Sequence, residues 1–187
     1  LNYKFERLYR LLFNENLYAL AYQNIAPNEG SCTTGADGQS ISGMSVERIQ
    51  NIINKLKDES YQPYPAKRVY IPKKNGKKRP LGIPASDDKL VHEVVRMILE
   101  SIYEGHFEKC SHGFRPHRSC HTALASIHEG FDGTRWFIEG DIKGFFDNID
   151  HDVMIDILSE RISDQRFLRL IRKFLNAGYM KKWQFHN

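Results

Sequence analysis

The chain has 187 residues, of which 41% are hydrophobic and 12% aromatic, so it can form one substantial domain or two small ones. No run approaches the roughly 18–20 uncharged apolar residues of a membrane span, so we expect no membrane partner. The amphipathic, charged beginning does not resemble a signal peptide, and three cysteines are too few for a disulfide scaffold. The sequence also reads as an excised piece of a longer protein.

The net charge of +4 conceals an uneven distribution of charged residues. Residues 61–80 contain no acid but carry seven cations: Lys67, Arg68, Lys73, Lys74, Lys77, Lys78 and Arg79. The opposite bias occurs in residues 137–152, where Lys143 stands against Glu139, Asp141, Asp147, Asp150 and Asp152. A basic ribbon and an acidic cluster in one chain indicate a polyanion held near a metal-binding site.

The first third of the chain predicts two helices separated by a long loop. Residues 3–24 have apolar side chains near a 3.6-residue period, which predicts a helix. Residues 25–44 are rich in Gly, Ser, Thr and Asn, and a loop of that length is more often functional or mobile than incidental. Ser45 is a suitable N-cap for a helix that continues to about Asp58.

A β-hairpin is the clearest local signal in the sequence. Residues 67–72 and 78–83 are strand-like, and Asn75-Gly76 between them is a hairpin turn signature. Apolar residues alternate on both arms, which predicts one buried face; they are Val69, Ile71, Leu81 and Ile83. The cations crowd the tip of this hairpin.

Three elements follow the hairpin. Ser86 is a candidate cap for a helix to about Tyr103, and residues 105–118 form a Gly- and His-rich connection. Ser119 is a candidate cap for a short helix to about His128.

The remaining pattern predicts a strand and two helices. Residues 136–142 (WFIEGDI) are typical of a buried strand, and Asp150 then caps a helix. Ser163 caps a last helix to about Leu175, with Gly178 as its C-terminal stop. The whole pattern predicts an α+β fold that is rich in helices and has a small antiparallel sheet.

Asp141 is the first candidate for chemistry. A carboxylate that ends an apolar strand is held rigidly where a hard cation takes oxygen ligands, and the Ile142 carbonyl could add one. The plainer alternative is that Asp141 only ends a strand and caps a turn. Phe145 and Phe146 are core residues by default, or one ring lines a nucleotide pocket.

The hairpin tip (KKNGKKR) is the second candidate. Its cations suit phosphate contacts, with Arg79 able to grip a phosphate through two parallel hydrogen bonds. Tyr61, Tyr64 and Tyr70 lie nearby in the sequence and could stack on bases. The alternative is a solvated strand edge protected by lysines, which the absence of interleaved acids disfavours.

Three other clusters carry weaker signals. A zinc site is disfavoured because the spacing of Cys110, His112, His117, Cys120 and His121 matches no familiar zinc pattern. Asp87 and Asp88 fall at a helix start, where the helix dipole favours acids, so we interpret them as helix punctuation. A metal-dependent nuclease that uses Asp141, Asp147 and Asp150 is disfavoured because these acids are explained as caps.

Four blocks in this order resemble the amino-terminal part of a group II intron-encoded reverse transcriptase, also called a maturase. They are the Gly35–Gly38 element after the first helix and loop, the run YQPYPAKRVYIPKKNGKKRPLGIPASDDKLVHEVV, CSHGFRPHRSCHTAL, and WFIEGDIKGFFDNIDHDVM. The resemblance implies an amino-terminal extension with a lid-like loop over 1–44, fingers over 45–132 and a partial palm over 133–187.

The resemblance also implies a role for each matching residue. Asp141 is then one of three catalytic aspartates that hold two Mg²⁺ ions, and the Ile142 carbonyl assists it. Lys73 and Arg79 clamp the triphosphate of the incoming dNTP, and Phe146 excludes a ribose 2′-hydroxyl, with Phe145 as the alternative ring. RNA and template contacts fall to Lys67, Lys74, Lys77, Lys78, Ile83 and Arg115.

The sequence departs from the family pattern in one respect. The other two aspartates of the family lie in a Tyr-x-Asp-Asp turn, and no such turn follows Asp141 here. We therefore expect that the 187-residue chain cannot polymerise alone and that its exposed apolar surface favours a homodimer. Expected partners are intron RNA, an RNA template with a DNA primer, and dNTP, in a bacterial cytoplasm rather than an organelle. The alternative is a non-catalytic RNA-binding module that assists splicing.

Overall fold

The computed structural model describes residues 3–74, 76–181 and 184–186, with the side chain of Asp147 outside the described part. The chain divides into two units. The first comprises Leu1–Arg96 with Asp150–Asn187, and the second comprises Met97–Ile149. The three-part division into extension, fingers and partial palm stays a prediction.

Helices dominate the fold. The α-helices are α1 (Glu15–Ile25), α2 (Val46–Lys57), α3 (Ser86–Tyr103), α4 (Cys120–Gly130), α5 (His151–Ser159) and α6 (Gln165–Leu175). Single-turn or short 3₁₀ segments cover Leu8–Phe13, Ile41–Gly43, Glu104–His106 and Phe146–Asn148. The strands are β1 (Ala66–Pro72), β2 (Lys78–Ile83), β3 (Tyr179–Lys181) and β4 (Gln184–His186).

The sheet has the strand order β2-β1-β3-β4 and is mixed. β1 and β2 are antiparallel, as are β3 and β4, whereas β3 runs parallel to β1. The predicted helix-rich α+β class is confirmed. The parallel pair was not expected, because β3 joins β1 only after more than a hundred intervening residues have folded.

The helix predicted over residues 3–24 is divided in two. A 3₁₀ segment ends at Phe13, and the Asn14 side chain then accepts a hydrogen bond from the Asn16 backbone N–H at the start of α1. Asparagine offers the backbone this alternative partner, so it favours a cap over a helix interior.

Three predicted N-caps are confirmed. The Ser45 hydroxyl accepts from the Arg48 backbone N–H, and Asp150 accepts from the backbone N–H groups of the second and third residues of α5. Ser119 forms a reciprocal capping box with Thr122. In each case the polar side chain satisfies backbone donors that a helix start leaves unpaired.

Two other predicted caps are wrong by one residue. Ser86 is the first residue of α3, and its buried hydroxyl donates to the Gln39 carbonyl oxygen at 2.6 Å. Asp164, not Ser163, caps α6, because its carboxylate accepts from two backbone N–H groups while the Ser163 hydroxyl donates to the Phe5 carbonyl. A carboxylate is the stronger acceptor, so it takes the cap.

The core of the first unit lies among α1, α2, α3 and α6. Its most deeply buried apolar side chains include Leu12, Tyr18, Leu56, Leu90, Val94 and Phe167. The Tyr18 hydroxyl donates to the Leu12 carbonyl, so the ring is buried without an unpaired polar atom. Leu90 and Val94 place the start of α3 in this core.

The buried strand predicted over residues 136–142 is wrong. Ile138 is fully exposed and Trp136 is 88% exposed. In the described part of the chain, no strand pairs with this segment and no backbone hydrogen bond joins it to a neighbour. An apolar sequence favours a strand only where a neighbouring strand supplies hydrogen-bond partners and cover.

Candidate nucleic-acid and nucleotide site

The basic hairpin predicted from the sequence is present. Six residue pairs join its arms, from Lys67 opposite Ile83 to Pro72 opposite Lys78. At the tip, the Lys73 N–H donates to the Lys77 carbonyl at 2.6 Å, and Gly76 has a φ of 77°. Only glycine adopts that backbone region without strain, which explains its place in the turn. Asn75, the other predicted turn residue, lies outside the described residues.

The register of the hairpin places two predicted template residues side by side. Residues directly opposite each other in an antiparallel pair share a face. Lys67 and Ile83 are therefore neighbours on one face, and Arg79, opposite Ile71, lies on the same face. Val69, Ile71 and Ile83 on this face are half-buried and Leu81 is 42% exposed, so the face that the alternation allows to be buried is covered only in part.

Five cations of the hairpin have no carboxylate partner in the described part of the chain. Lys67, Lys73, Lys74, Lys78 and Arg79 are exposed, and no carboxylate among the described residues forms an ion pair with any of them. Clustered like charges raise the local positive potential, which attracts phosphates. The arrangement can therefore hold a polyanion without first breaking internal ion pairs.

The nearby tyrosines divide into exposed and buried residues. Tyr64 and Tyr70 are 54% and 45% exposed, so both remain available for stacking. Tyr61 is 4% exposed, which excludes the stacking role considered for it. Next to the hairpin base, the Arg68 guanidinium lies 3.9 Å from the centre of the Tyr179 ring.

The long loop over residues 25–44 is tied to the start of α3. The Lys89 ammonium donates to the Ser31 and Thr33 carbonyl oxygens at 3.0 and 2.7 Å. Gly35 lies so close to the backbone after β2 that a Cβ would be 2.5 Å from the Pro84 carbonyl oxygen. Only glycine fits this approach, which explains Gly35, whereas Gly38 is explained by its positive φ of 68°.

A pocket of about 250 Å³ lies between this loop and the hairpin base. Its lining residues are Thr34, Gly35, Ala36, Gly38, Lys67, Arg68 and Met180. The loop predicted to cover the template and the lysine predicted to contact it therefore meet at one cavity.

Asp88 has a role that the sequence prediction missed. It is 1% exposed and accepts hydrogen bonds from the Tyr61 hydroxyl and from the Tyr64 backbone N–H. Burial raises the pKa of Asp88 to about 6. The signal was available, because Asp88 falls on the helical stripe of apolar residues 91, 95, 98 and 102. Asp88 thus fixes the segment that leads into β1.

His92 lies one helical turn after Asp88. Its ring packs edge-on against Phe174, with 4.2 Å between ring centres. Burial lowers the pKa of His92 to about 4, so the ring is neutral at pH 7.

Residues 137–149 of the acidic cluster, with Asp141, belong to the second unit, whereas Asp150, Asp152 and the hairpin belong to the first. Asp141 and Ile142 are exposed, and the Phe145 and Phe146 rings meet edge-on with 5.4 Å between their centres. After them, the Asn148 side chain donates to the Gly144 carbonyl at 2.7 Å and closes a turn.

Asp141 and Ile142 offer two neighbouring oxygen donors to a metal ion. The Asp141 carboxylate and the Ile142 carbonyl have the oxygen chemistry that Mg²⁺ prefers. Asp150 is occupied as a helix cap, and no group of three metal-ligating side chains occurs among the residues that the structure describes. Further ligands are needed to complete a site. In the zinc cluster considered above, His112 Nδ1 pairs with the Thr122 hydroxyl.

Arg115 is engaged within the second unit. Its guanidinium forms an ion pair with Glu104 at 2.9 Å and donates to the carbonyl oxygens of Glu108 and Ser111. Its side chain is 10% exposed. The RNA contact expected of Arg115 stays a prediction.

The chain belongs to the reverse transcriptase (RNA-dependent DNA polymerase) family, whose sequence model matches residues 71–187. The match begins within the basic hairpin and includes the Asp141 motif.

Several of its relatives carry the names of intron proteins. The chain is 55% identical to the group II intron-encoded protein LtrA of Lactococcus lactis subsp. cremoris over 183 residues, which are 97% of this chain and 31% of LtrA. It is 50% identical to an uncharacterised 91 kDa protein in the cob intron of Schizosaccharomyces pombe, over 90% of this chain and 21% of that protein.

A plant protein adds a third match. The nuclear intron maturase 1, mitochondrial, of Arabidopsis thaliana is 41% identical over 53% of this chain and 14% of the maturase. The chain thus spans less than a third of the length of each of these three relatives. Within the described residues, no helix is both long enough and apolar enough to cross a membrane.

Proposed function

We propose that this chain is part of a group II intron reverse transcriptase, which synthesises DNA on an RNA template and binds intron RNA for splicing and mobility. The observation that carries the proposal is the exposed basic hairpin at the start of the segment matched to the family, where no carboxylate of the described residues forms an ion pair with Lys67, Lys73, Lys74, Lys78 or Arg79. The names of the relatives support the intron assignment.

In this proposal the hairpin clamps the incoming dNTP. Arg79 presents a planar fork of donors to the triphosphate, and Lys73 at the turn adds a mobile point charge. Phe146 is 84% exposed and can stand against the sugar to exclude a 2′-hydroxyl, with Phe145 supporting it edge-on.

The template strand runs past the hairpin base. Lys67 and Ile83 contact it from one face, and the cavity under the Gly35–Gly38 element accepts it. Lys74, Lys77 and Lys78 add phosphate contacts at the tip, which predicts a strong dependence of RNA affinity on salt.

Asp141 supplies the first carboxylate of a Mg²⁺ site, with the Ile142 carbonyl beside it. When bound, Mg²⁺ would stabilise the negative charge that develops on the phosphate in the transition state of phosphoryl transfer. Since one carboxylate and one carbonyl fill only part of an octahedral shell, we propose that the 187-residue chain does not polymerise alone.

The exposed segment 136–142 supports two further proposals. In the longer protein it pairs with strands outside this chain, whereas the isolated chain self-associates through it as a homodimer. Light scattering that shows only monomers over a wide concentration range would exclude the homodimer. The similarity to LtrA favours a bacterial cytoplasmic setting, although organellar relatives also match.

A non-catalytic RNA-binding module that assists splicing is the second candidate function. The exposed cations Lys67, Lys73, Lys74, Lys78 and Arg79 also favour this function, because they can bind structured RNA whether or not a dNTP is present.

A chimera tests the proposal, with this chain replacing the matching 183 residues of LtrA. We expect it to extend a DNA primer on an RNA template in the presence of Mg²⁺ and dNTP, at a rate within about 10-fold of LtrA assayed beside it. RNA binding without extension, while LtrA extends the same primer, would favour the non-catalytic module.

A further inference from the structure

A second groove lies in the first unit, beside the end of α6. It has a volume of about 520 Å³ and is lined by Gln62, Pro63, Pro65, Arg169, Arg172, Lys173, Asn176, Ala177 and Phe185. We call it the α6 groove. Its lining has three cations, and no carboxylate is among its described lining residues.

The three cations of the α6 groove differ in how they are held. Lys173 is structural, because its ammonium donates to the Glu59 and Tyr61 carbonyl oxygens. Arg169 pairs with Glu59, and Arg172 pairs with Asp152. The four side chains of these ion pairs are 42–78% exposed. Exposed ion pairs contribute little to stability, so both arginines can exchange these carboxylates for a stronger anionic ligand at small cost.

The groove also presents an aromatic ring. Phe185 on β4 is 56% exposed, and one edge of its ring packs over Gly178, where an added Cβ would lie 2.9 Å from the ring carbons. Pro63 and Pro65 extend the apolar floor. An oriented, exposed ring next to arginines is the combination by which proteins bind single-stranded nucleic acid, through base stacking and phosphate contacts.

We propose that the α6 groove binds single-stranded RNA, with a base stacked on Phe185 and phosphates held by Arg169 and Arg172. The proposal rests on the function proposed above and adds a second RNA contact to that of the hairpin. Arg169 and Arg172 are three residues apart and therefore lie on one face of α6, so both guanidinium groups can contact phosphates of one RNA strand.

Fluorescence anisotropy with a 5′-labelled, unstructured 20-nucleotide RNA tests the proposal on the 187-residue chain. We expect Phe185→Ala to weaken binding about 10-fold, and Phe185→Trp to retain it, because stacking needs a flat ring. Arg169→Gln with Arg172→Gln should weaken binding similarly and lower its salt dependence. Phe131→Ala, at a ring of similar exposure in the second unit, is the matched control and should bind like the unaltered chain.

Hairpin variants separate this inference from the proposed function. If Lys74→Gln with Lys78→Gln weakens RNA binding but the α6-groove variants do not, the inference fails and the function stands. If neither set weakens binding, both fail.

Photocrosslinking gives a readout that does not depend on the stability of a variant. RNA carrying 5-iodouridine should crosslink to Phe185 of the unaltered chain, as mapped by mass spectrometry of its peptides. Bound RNA that crosslinks only to other peptides would show that RNA does not occupy the groove and would overturn the inference.

Discussion

The two units of this chain bury their apolar residues to different degrees. In the first unit, Leu12, Leu56 and Leu90 are fully buried, and the basic hairpin is anchored to that core through the start of α3. In the second unit, Trp136, Ile138 and Phe146 are at least 84% exposed, although the segment WFIEGDIKGFF that contains them is rich in apolar residues. Apolar content alone does not create a core; it does so only where neighbouring elements supply cover and hydrogen-bond partners.

Paired truncations test this contrast with the largest effect on stability. Leu90→Ala should lower the free energy of unfolding by about 3 kcal/mol, because it removes buried methyl groups and leaves a cavity. Ile138→Ala should change it by less than about 0.5 kcal/mol. Urea denaturation of the 187-residue chain measures both. Equal losses would mean that the 136–142 segment is packed after all.

The accuracy of the sequence predictions depends on how local the contacts are. Caps at Ser45, Ser119 and Asp150 were predictable because the partner N–H groups lie within three residues. The strand over 136–142 was not, because pairing depends on a distant segment that no local pattern reports.

The role of the hairpin in dNTP binding can be tested through the KM for dNTP. In the LtrA chimera, Lys73→Ala with Arg79→Ala should raise the KM for dNTP about 100-fold, since two charge-assisted contacts to the triphosphate are lost. Steady-state primer extension measures this effect. Lys74→Ala, at an adjacent exposed cation, is the control and should change the KM for dNTP less than 3-fold. An unchanged KM in the double variant would remove the clamp assignment.

Asp88 and His92 should have opposite effects on stability as pH changes. The folded state retains a proton on Asp88 up to about pH 6, whereas an unfolded aspartate releases it near its ordinary pKa of 3.8. This carboxyl therefore makes the free energy of unfolding fall as pH rises from 4 to 6. His92 has the reverse effect, because the unfolded ring binds a proton between about pH 4 and 6.5 that the folded ring does not.

The two contributions largely cancel in the unaltered chain. Asp88→Asn should therefore reveal stability that rises by about 2 kcal/mol from pH 4 to 6, and His92→Leu should reveal the opposite slope. Urea midpoints measured across this pH range decide the matter. If neither substitution changes the slope of the free energy of unfolding against pH, Asp88 and His92 are not buried as described.

The buried role of Asp88 shows a second limit of sequence reasoning. An acid at a helix start predicts a favourable interaction with the helix dipole, and Asp87 and Asp88 fit that rule equally well. The apolar stripe marks Asp88 as the buried one of the two, but its partners Tyr61 and Tyr64 lie more than twenty residues earlier and no local pattern reports them. Asp87 instead pairs with Arg48 at 2.6 Å.

The smallest expected effect is the loss of the α5 N-cap at Asp150. Asp150→Ala should lower the free energy of unfolding by about 1 kcal/mol through loss of the α5 cap, and Asp150→Ser should restore most of it. Thermal denaturation of the 187-residue chain gives the comparison. In the chimera, primer extension should remain within 2-fold of the parent. A large loss of extension with intact stability would instead make Asp150 part of the acidic site.

The central claim is that this chain supplies the first catalytic carboxylate of a reverse transcriptase, and Asp141→Asn in the LtrA chimera tests it most directly. The substitution keeps the size of the side chain and removes its charge. We expect the primer-extension rate to fall by at least about 1,000-fold, while RNA affinity stays within 2-fold of that of the parent chimera. Extension at the parent rate would show that Asp141 is not a catalytic carboxylate.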